Sequence, residues 1–128
     1  MSEDAGKTSS PKSVVVVEDE ESVNQVLVDF LVDRGYQVAR ALDGRSAMKL
    51  IESGEFDGII LDLNLPEMDG RAVLAEMRQH FPDLPAIVLS GYVTERDTEL
   101  LAKAGANAVF AKPAKLGEVA DKLDELTA

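Results

Sequence analysis

Five short apolar runs recur along the chain, and segments with a helical spacing of apolar residues separate them. The runs are Val14–Val17, Val38–Leu42, Ile59–Leu61, Ala86–Leu89 and Ala108–Ala111. Most of them are continuous rather than alternating, which is typical of strands buried on both faces of a parallel sheet. The second run contains Arg40 and follows Gln37, so this less apolar strand suits a sheet edge.

The segments between the runs carry the apolar spacing and the end signals of helices. The first and last helices each show one apolar face, at Val23, Val26, Leu27, Phe30 and Leu31 and at Leu116, Val119, Ala120, Leu123 and Leu126. Helix stops are predicted at Gly35, Gly54 and Gly105, and N-caps at Asp43 and Thr94. This alternation predicts an α/β fold, a doubly wound five-stranded parallel sheet with helices on both faces. We predict the strand order 2-1-3-4-5, which is one of the two common solutions for such sheets.

Length and composition narrow the class of protein. The 128 residues suit one domain, and the polar stretch 1–12 lacks an apolar period, so we predict a disordered tail before a domain at 13–128. The apolar runs are too short for a transmembrane helix, which argues against a membrane protein. The absence of cysteine excludes thiolate metal sites. The net charge of −11, with no basic cluster, argues against direct binding to nucleic acid.

Reactive side chains end four of the five predicted strands. Glu18 and Asp19 end the first, Asp62 the third, Ser90 the fourth and Lys112 the fifth. Each residue alone has an ordinary explanation as a cap, turn or surface residue, but ligands of such sheets bind at the carboxyl ends of the strands. The joint placement therefore predicts one site.

The chemistry of this set indicates phosphoryl transfer. Three crowded carboxylates favour a hard divalent cation such as Mg²⁺, and a carboxylate such as Asp62 can attack phosphorus. Lys112 supplies a cation and Ser90 a hydrogen-bond donor for phosphoryl oxygens. The turn that follows Asp62, with Pro66 and Gly70, is expected to direct the backbone carbonyl of Asn64 toward the metal.

Four motifs together resemble the receiver domain of two-component response regulators, the CheY-like family, over residues 13–127. They are VVVVEDE, IILDLNLPEMDG, VLSGY and AKP. The resemblance implies that Asp62 is the phosphoacceptor and that Glu18, Asp19 and the backbone of Asn64 hold Mg²⁺. It also implies that the Ser90 hydroxyl moves toward the phosphoryl group and that Lys112 precedes a cis Pro113. Asn64 and Tyr92 would set the lifetime of the acyl phosphate.

Two departures from the family pattern concern the switch and the last helix. Many receivers have an aromatic residue three positions before the lysine, where this chain has Val109, and Phe110 is expected on the opposite side of the strand. Without an aromatic residue at position 109, we expect the switch to move Ser90 and the loop Gly91–Val93 instead. Ala114 and Lys115 replace residues that pack and cap in many receivers, so we expect a looser start to the last helix.

The resemblance also implies partners. The phosphodonor would be a histidine kinase or a histidine phosphotransfer protein that docks beside the first helix, with a small acyl phosphate as a substitute. The downstream protein target would contact the last helices and strands, in the cytoplasm. Any enzymatic activity is expected to be limited to the chain's own phosphorylation and dephosphorylation. His80 is read as a surface residue rather than a phosphocarrier.

Several alternatives stay open. With no output domain after Ala128, the chain is expected to act alone or to be a fragment of a larger regulator or hybrid kinase. A pseudo-receiver scaffold without phosphorylation is compatible with Val109. A small hydrolase with an aspartate nucleophile, of the haloacid dehalogenase type, would need a second acid where this chain has Asn64.

Overall fold

Five strands and five helices alternate along the chain in the computed structural model, which describes residues 11–65, 68–91 and 94–128. The strands are β1 (Ser13–Val17), β2 (Gln37–Ala41), β3 (Gly58–Asp62), β4 (Ala86–Ser90) and β5 (Ala108–Ala111). The helices are α1 (Glu21–Asp33), α2 (Gly44–Ser53), α3 (Gly70–His80), α4 (Glu95–Lys103) and α5 (Leu116–Thr127). Residues 1–10 of the predicted tail lie outside the described residues.

The strands form one parallel sheet in the order β2-β1-β3-β4-β5, as the sequence predicts. The register pairs Val17 with Leu61, Asp62 with Leu89, and Ser90 with Ala111. All strands therefore end at the same edge, and residues far apart in the chain become neighbours there.

The sheet separates two apolar layers because successive side chains of a strand point to opposite faces. One layer contains Val15, Val17, Ile59, Leu61 and Val88 with Val73, Leu74 and Met77 of α3. The other contains Val14, Val16, Ile60 and Ile87 with Leu27 and Leu31 of α1 and Leu123 of α5. The three central strands are buried on both faces, which explains their continuous apolar sequence.

Several local signals in the sequence act as predicted. The Asp43 side chain accepts a hydrogen bond from the Ser46 amide at the start of α2. Thr94 and Asp97 form a reciprocal capping box at the start of α4. Gly35 and Gly105 have φ angles of 99° and 112°, which only glycine adopts readily after a helix end.

Three strands end before the residues that were predicted to end them, which are Glu18 and Asp19, Leu42, and Lys112. β1 ends at Val17, although the Glu18 amide still donates to the Ala41 carbonyl at 3.1 Å. β2 begins at Gln37 and ends at Ala41 rather than at Leu42. β5 ends at Ala111, and the Lys112 amide donates to the Ser90 carbonyl at 2.8 Å. Glu18 and Lys112 thus each lie one residue past a strand, and their side chains contact each other at the carboxyl edge of the sheet.

The prediction that Val26 lies on the buried face of α1 is wrong. The buried stripe of this helix starts at Asn24 and continues through Leu27, Val28 and Leu31. Val26 is two positions from Asn24, which is more than half a turn around the helix, and its side chain is 54% exposed. Within the described ranges, no helix combines the length and the apolar character that a membrane span requires.

Candidate functional site

Three carboxylates converge at the carboxyl edge of the sheet. Glu18 and Asp19 follow β1 and Asp62 ends β3, and one carboxylate oxygen of each lies within 4.8 Å of the others. Glu18 and Asp62 are buried, whereas Asp19 is exposed. The cluster is therefore open to solvent on the side of Asp19, where a cation would enter.

The donor set fits a hard divalent cation. Its atoms are carboxylate oxygens, which Mg²⁺ prefers, and a few carboxylates with retained water ligands suffice for this ion. Two acids buried side by side also repel each other when both are ionised, and a cation relieves that repulsion. The acidic cluster is thus compatible with Mg²⁺.

Lys112 joins the two buried acids. Its Nζ donates to Glu18 Oε1 at 2.9 Å and to Asp62 Oδ2 at 3.1 Å. Burial opposes the positive charge, but the bonds to Glu18 and Asp62 outweigh burial and raise the pKa of Lys112. The ammonium therefore stays charged at neutral pH beside the carboxylates.

Glu18 is held at both of its oxygens. Oε1 accepts from Lys112, and Oε2 accepts from the backbone amide of Glu20 at 3.1 Å. Burial raises the pKa of Glu18, and the hydrogen bonds from Lys112 and the Glu20 amide oppose that rise. The longer glutamate side chain lets this residue reach Lys112 across the edge of the sheet.

Asp62 is fixed by the chain that follows it. The Asn64 amide donates to Asp62 Oδ1 at 3.1 Å, so each carboxylate oxygen of Asp62 accepts a hydrogen bond. Gly70, at the start of α3, donates its amide to the Leu63 carbonyl at 3.0 Å. A Cβ atom on Gly70 would lie 2.5 Å from Leu63 Cα and 2.7 Å from the Asp62 carbonyl oxygen. Glycine is therefore required for α3 to begin this close to β3.

Three other predicted site residues, Ser90, Pro113 and Asn64, lie at strand ends on the same edge of the sheet as this cluster. Ser90 is buried at the end of β4, next to Ala111 in the sheet register. The Lys112–Pro113 peptide bond is cis, as the resemblance implies. Asn64 is exposed, and its side-chain nitrogen Nδ2 lies 3.7 Å from the position that a Cβ atom on Gly91 would take. Tyr92, Val93 and Pro66 lie outside the described residues, so the expectations for them stay predictions.

Val109 and Phe110 point to opposite faces of β5. Val109 packs against the layer that contains Leu61, and Phe110 packs against the layer that contains Leu27. This agrees with the predicted orientation of Phe110. His80 is exposed at the end of α3, as predicted.

One residue next to the site, Asn24, was not predicted from the sequence. Asn24 is fully buried, and its Nδ2 donates to the Glu18 carbonyl at 3.0 Å. A polar residue one turn into an amphipathic helix is normally assigned to the exposed face. The signal that could have found it is the spacing of Asn24, Leu27, Val28 and Leu31, which places it at the head of an apolar stripe.

The fold and the site together define a CheY-like domain, with a doubly wound parallel sheet and an acidic cluster at its carboxyl edge. A family model for the response regulator receiver domain matches residues 14–124, and the chain belongs to this family.

Relatives and solved structures agree with this assignment. The chain is 36% identical over 118 residues to the response regulator MprA of Mycolicibacterium vanbaalenii, covering 91% of this chain and 50% of MprA. It is 34% identical over 126 residues to the sensor kinase CckA of Brucella abortus, covering 97% of this chain and 13% of CckA. The crystal structure of the response regulator TrrA of Thermotoga maritima, in complex with Mg²⁺ and BeF, matches with a TM-score of 0.81 and 30% identity, covering 90% of this chain and 98% of TrrA. The chain thus spans half or less of these curated relatives.

Proposed function

We propose that this chain accepts a phosphoryl group on Asp62 from the phosphohistidine of a histidine kinase or histidine phosphotransfer protein, and that the modification changes its protein partners. The observation that carries the proposal is the contact of Lys112 Nζ with both Glu18 and Asp62, inside a cluster of three carboxylates. Membership of the receiver family supports the same chemistry.

The proposed reaction transfers the phosphoryl group in one displacement. A carboxylate oxygen of Asp62 attacks phosphorus and forms a P–O bond, while the P–N bond to the donor histidine breaks and its electron pair leaves with the imidazole nitrogen. The product on this chain is an acyl phosphate. Such a transfer requires positioning and charge neutralisation more than covalent help from other side chains.

Residues around Asp62 supply that positioning. The bond from the Asn64 amide orients the Asp62 carboxylate, and the Lys112 ammonium offers a positive charge to the phosphoryl oxygens. The buried Ser90 at the end of the next strand would donate its hydroxyl to a phosphoryl oxygen.

Mg²⁺ would be held by Glu18, Asp19, Asp62 and the Asn64 carbonyl, and when bound it would neutralise charge on the phosphoryl oxygens. TrrA, which is 30% identical to this chain, was crystallised in complex with Mg²⁺ and BeF, and this supports Mg²⁺ as the metal for the proposed site. In the free chain Lys112 already partly neutralises Glu18 and Asp62, so the protein holds these two acids together without the metal.

The proposed output is a change of protein contacts. Donor proteins would dock beside α1, and a target would read the face formed by α4, β5 and α5, in the cytoplasm and without nucleic acid or membrane contact. Val109 occupies the position at which many receivers have an aromatic residue, and here it packs against the apolar layer that contains Leu61. We therefore assign the switch to Ser90 and the following loop rather than to an aromatic side chain.

Intact mass spectrometry after incubation with Mg²⁺ and acetyl phosphate tests the proposal. We expect a single phosphoryl adduct on the wild type, loss of the adduct in Asp62→Asn, and an unchanged adduct in Asp83→Asn. Asp83 is a matched control because it is an exposed acid that precedes β4, at the opposite end of the sheet.

Three results would contradict the proposal. An adduct of equal yield in Asp62→Asn would place the chemistry elsewhere. No adduct from acetyl phosphate or from any histidine kinase or phosphotransfer donor would indicate a scaffold without phosphorylation. Sustained release of phosphate from many phosphate esters would indicate a hydrolase.

A further inference from the structure

A fully buried amide lies under the acidic cluster. Asn24 is in the first turn of α1 and has no exposed surface, although it is followed on the same stripe by Leu27, Val28 and Leu31. Buried polar side chains are kept where hydrogen bonds satisfy them, because an unpaired buried amide costs free energy. The partners of Asn24 therefore indicate its role.

The nitrogen of this amide connects the ends of two strands. Asn24 Nδ2 donates to the Glu18 carbonyl at 3.0 Å and to the Ala41 carbonyl at 3.2 Å. The Ala41 carbonyl also accepts from the Glu18 amide at 3.1 Å. Both backbone polar groups of Glu18 are thus held, one by β2 and the other by Asn24.

The oxygen of the amide is held by an exposed arginine. Arg40 Nε donates to Asn24 Oδ1 at 2.9 Å, and Arg40 Nη1 donates to Gln25 Oε1 at 2.6 Å. A flipped amide would place its NH₂ group against the guanidinium and its oxygen against two carbonyls. Arg40 therefore selects the orientation in which Asn24 donates to Glu18.

We propose that Asn24 is a positioning residue for the metal site and that Arg40 orients it. The inference rests on the proposed function, since it concerns the Mg²⁺ held by Glu18, Asp19 and Asp62. Asn24 fixes the backbone of Glu18 at the point where the chain leaves β1 and before it enters α1. The carboxylates of Glu18 and Asp19 both start from this short segment, so its position sets their distance from Asp62.

Without Asn24, the segment Glu18–Glu20 would lose a backbone anchor inside the protein. The Glu18 carboxylate would still contact Lys112, but its backbone would be free to shift relative to β3. Groups that orient metal ligands typically change metal affinity by about 10–100-fold when they are removed. We expect a loss at the lower end of this range, because Lys112 and the Glu20 amide also hold Glu18.

A titration of the full chain with MgCl₂, followed by calorimetry, tests the role of Asn24. Asn24→Leu keeps a similar shape but removes the three hydrogen bonds, and we expect its Mg²⁺ dissociation constant to rise about tenfold. Val119→Ala is the control for lost stability, because Val119 is buried in the apolar layer that contains Leu27 and Leu31 but lies outside the site. We expect Val119→Ala to unfold at lower urea with an unchanged Mg²⁺ affinity.

Arg40→Met tests the same connection at a surface position, and it remains informative if Asn24→Leu does not fold. Loss of a positive charge by itself would strengthen binding of a cation. The control Lys49→Met removes the same charge from the exposed side of α2 and shows that effect alone. We expect Arg40→Met to weaken Mg²⁺ binding about threefold, the size of one modest hydrogen bond, while Lys49→Met leaves it unchanged or slightly tighter.

The outcomes separate this inference from the proposed function. A wild type that does not bind Mg²⁺ would overturn both. A wild type that binds Mg²⁺, with Asn24→Leu folded and within twofold of it, would overturn the positioning role and leave the proposed function intact. An affinity for Arg40→Met that equals that of Lys49→Met would overturn the orienting role of Arg40.

Discussion

At the scale of single residues, close backbone approach decides where Asp62 can lie. Gly70 begins α3 directly against the backbone of Asp62 and Leu63, with no space for a Cβ atom. The atoms in the way belong to the backbone of β3 and its extension, so they cannot move without displacing the acid itself. A glycine after the turn is thus part of the geometry of the site, although it carries no reactive group.

Gly70→Ala is expected to lower the free energy of unfolding by about 1–3 kcal/mol, the usual cost of overpacking. The same variant should give a lower yield of the phosphoryl adduct, because the added methyl displaces Asp62. Urea denaturation and intact mass spectrometry measure the two effects.

Gly117→Ala is the matched control, since a Cβ atom on Gly117 in α5 meets nothing within 4 Å. It should raise stability by up to about 1 kcal/mol, because alanine favours a helix over glycine. Equal stability changes in the two variants would contradict the steric argument at Gly70.

The residues of the site differ in how far the sequence could predict them. Glu18, Asp62 and Lys112 could be placed together because each lies at the carboxyl end of a predicted strand, and parallel pairing brings strand ends to one edge. Asn24 could not be found this way, since it does not end a strand and the groups to which it donates are backbone carbonyls, which carry no sequence signal. The orientation of Glu18 toward Lys112 likewise depends on rotamers that the sequence does not encode locally.

At the scale of elements, the last helix starts without a side-chain cap. Lys115 is the N-cap residue of α5, and its side chain makes no capping hydrogen bond. Its backbone is extended, with φ −79° and ψ 117°, which is the conformation that a capping serine adopts. Glu118 stands three residues later, the position that completes a capping box.

Lys115→Ser is therefore expected to raise the free energy of unfolding by about 1 kcal/mol in urea denaturation. Lys122→Gln is the control, because it removes the same charge from the middle of α5. A stability of Lys115→Ser at or below that of the wild type would show that the start of α5 is not limited by its cap.

The far ends of α1 and α5 are joined by a polar cluster on the opposite side from the acids. Asp124 accepts from the Tyr36 hydroxyl at 2.6 Å and from Arg34 Nη2 at 2.6 Å, and Arg34 also donates to Asp121. The bond from Tyr36, and then that from Arg34, lowers the pKa of Asp124, with burial opposing them. These contacts stabilise the folded chain more strongly when Asp124 is ionised than when it is protonated.

This arrangement predicts a dependence on pH. A lowered pKa gives stability that is present above the ordinary aspartate value of about 3.9 and is lost as pH falls through the lower value of the folded state. Asp124→Asn should lower the free energy of unfolding by about 0.5–1 kcal/mol at pH 7, a modest amount because the Arg34–Asp124 pair is partly exposed. The difference from wild type should shrink below about pH 4.

Urea denaturation of wild type and Asp124→Asn between pH 7 and pH 3 measures the effect. Asp121→Asn is the control, because Asp121 contacts Arg34 but not Tyr36, and a smaller change is expected. A difference for Asp124→Asn that persists or grows at low pH would contradict the role of the ionised carboxylate.

At the scale of the whole molecule, the fold was accessible from the sequence because its elements are short and regular. Continuous apolar runs are typical of strands buried on both faces, and right-handed crossovers leave few topologies for a parallel sheet of five strands. The exact strand ends were less accessible, since the ladder continues one bond past β1 and β5 through the backbone of Glu18 and Lys112. The net charge of −11 includes the acids of the site but does not distinguish them from surface acids.

Chemical trapping can show directly whether Asp62, at the converging strand ends, is the proposed phosphoacceptor. Borohydride attacks the carbonyl of an acyl phosphate, expels phosphate and leaves an alcohol, which peptide mass spectrometry can locate. After treatment with acetyl phosphate and Mg²⁺, the reduced side chain is predicted at residue 62 alone. Reduction at residue 19, at residue 18 or at a surface acid, with residue 62 unchanged, would show that Asp62 is not the phosphoacceptor.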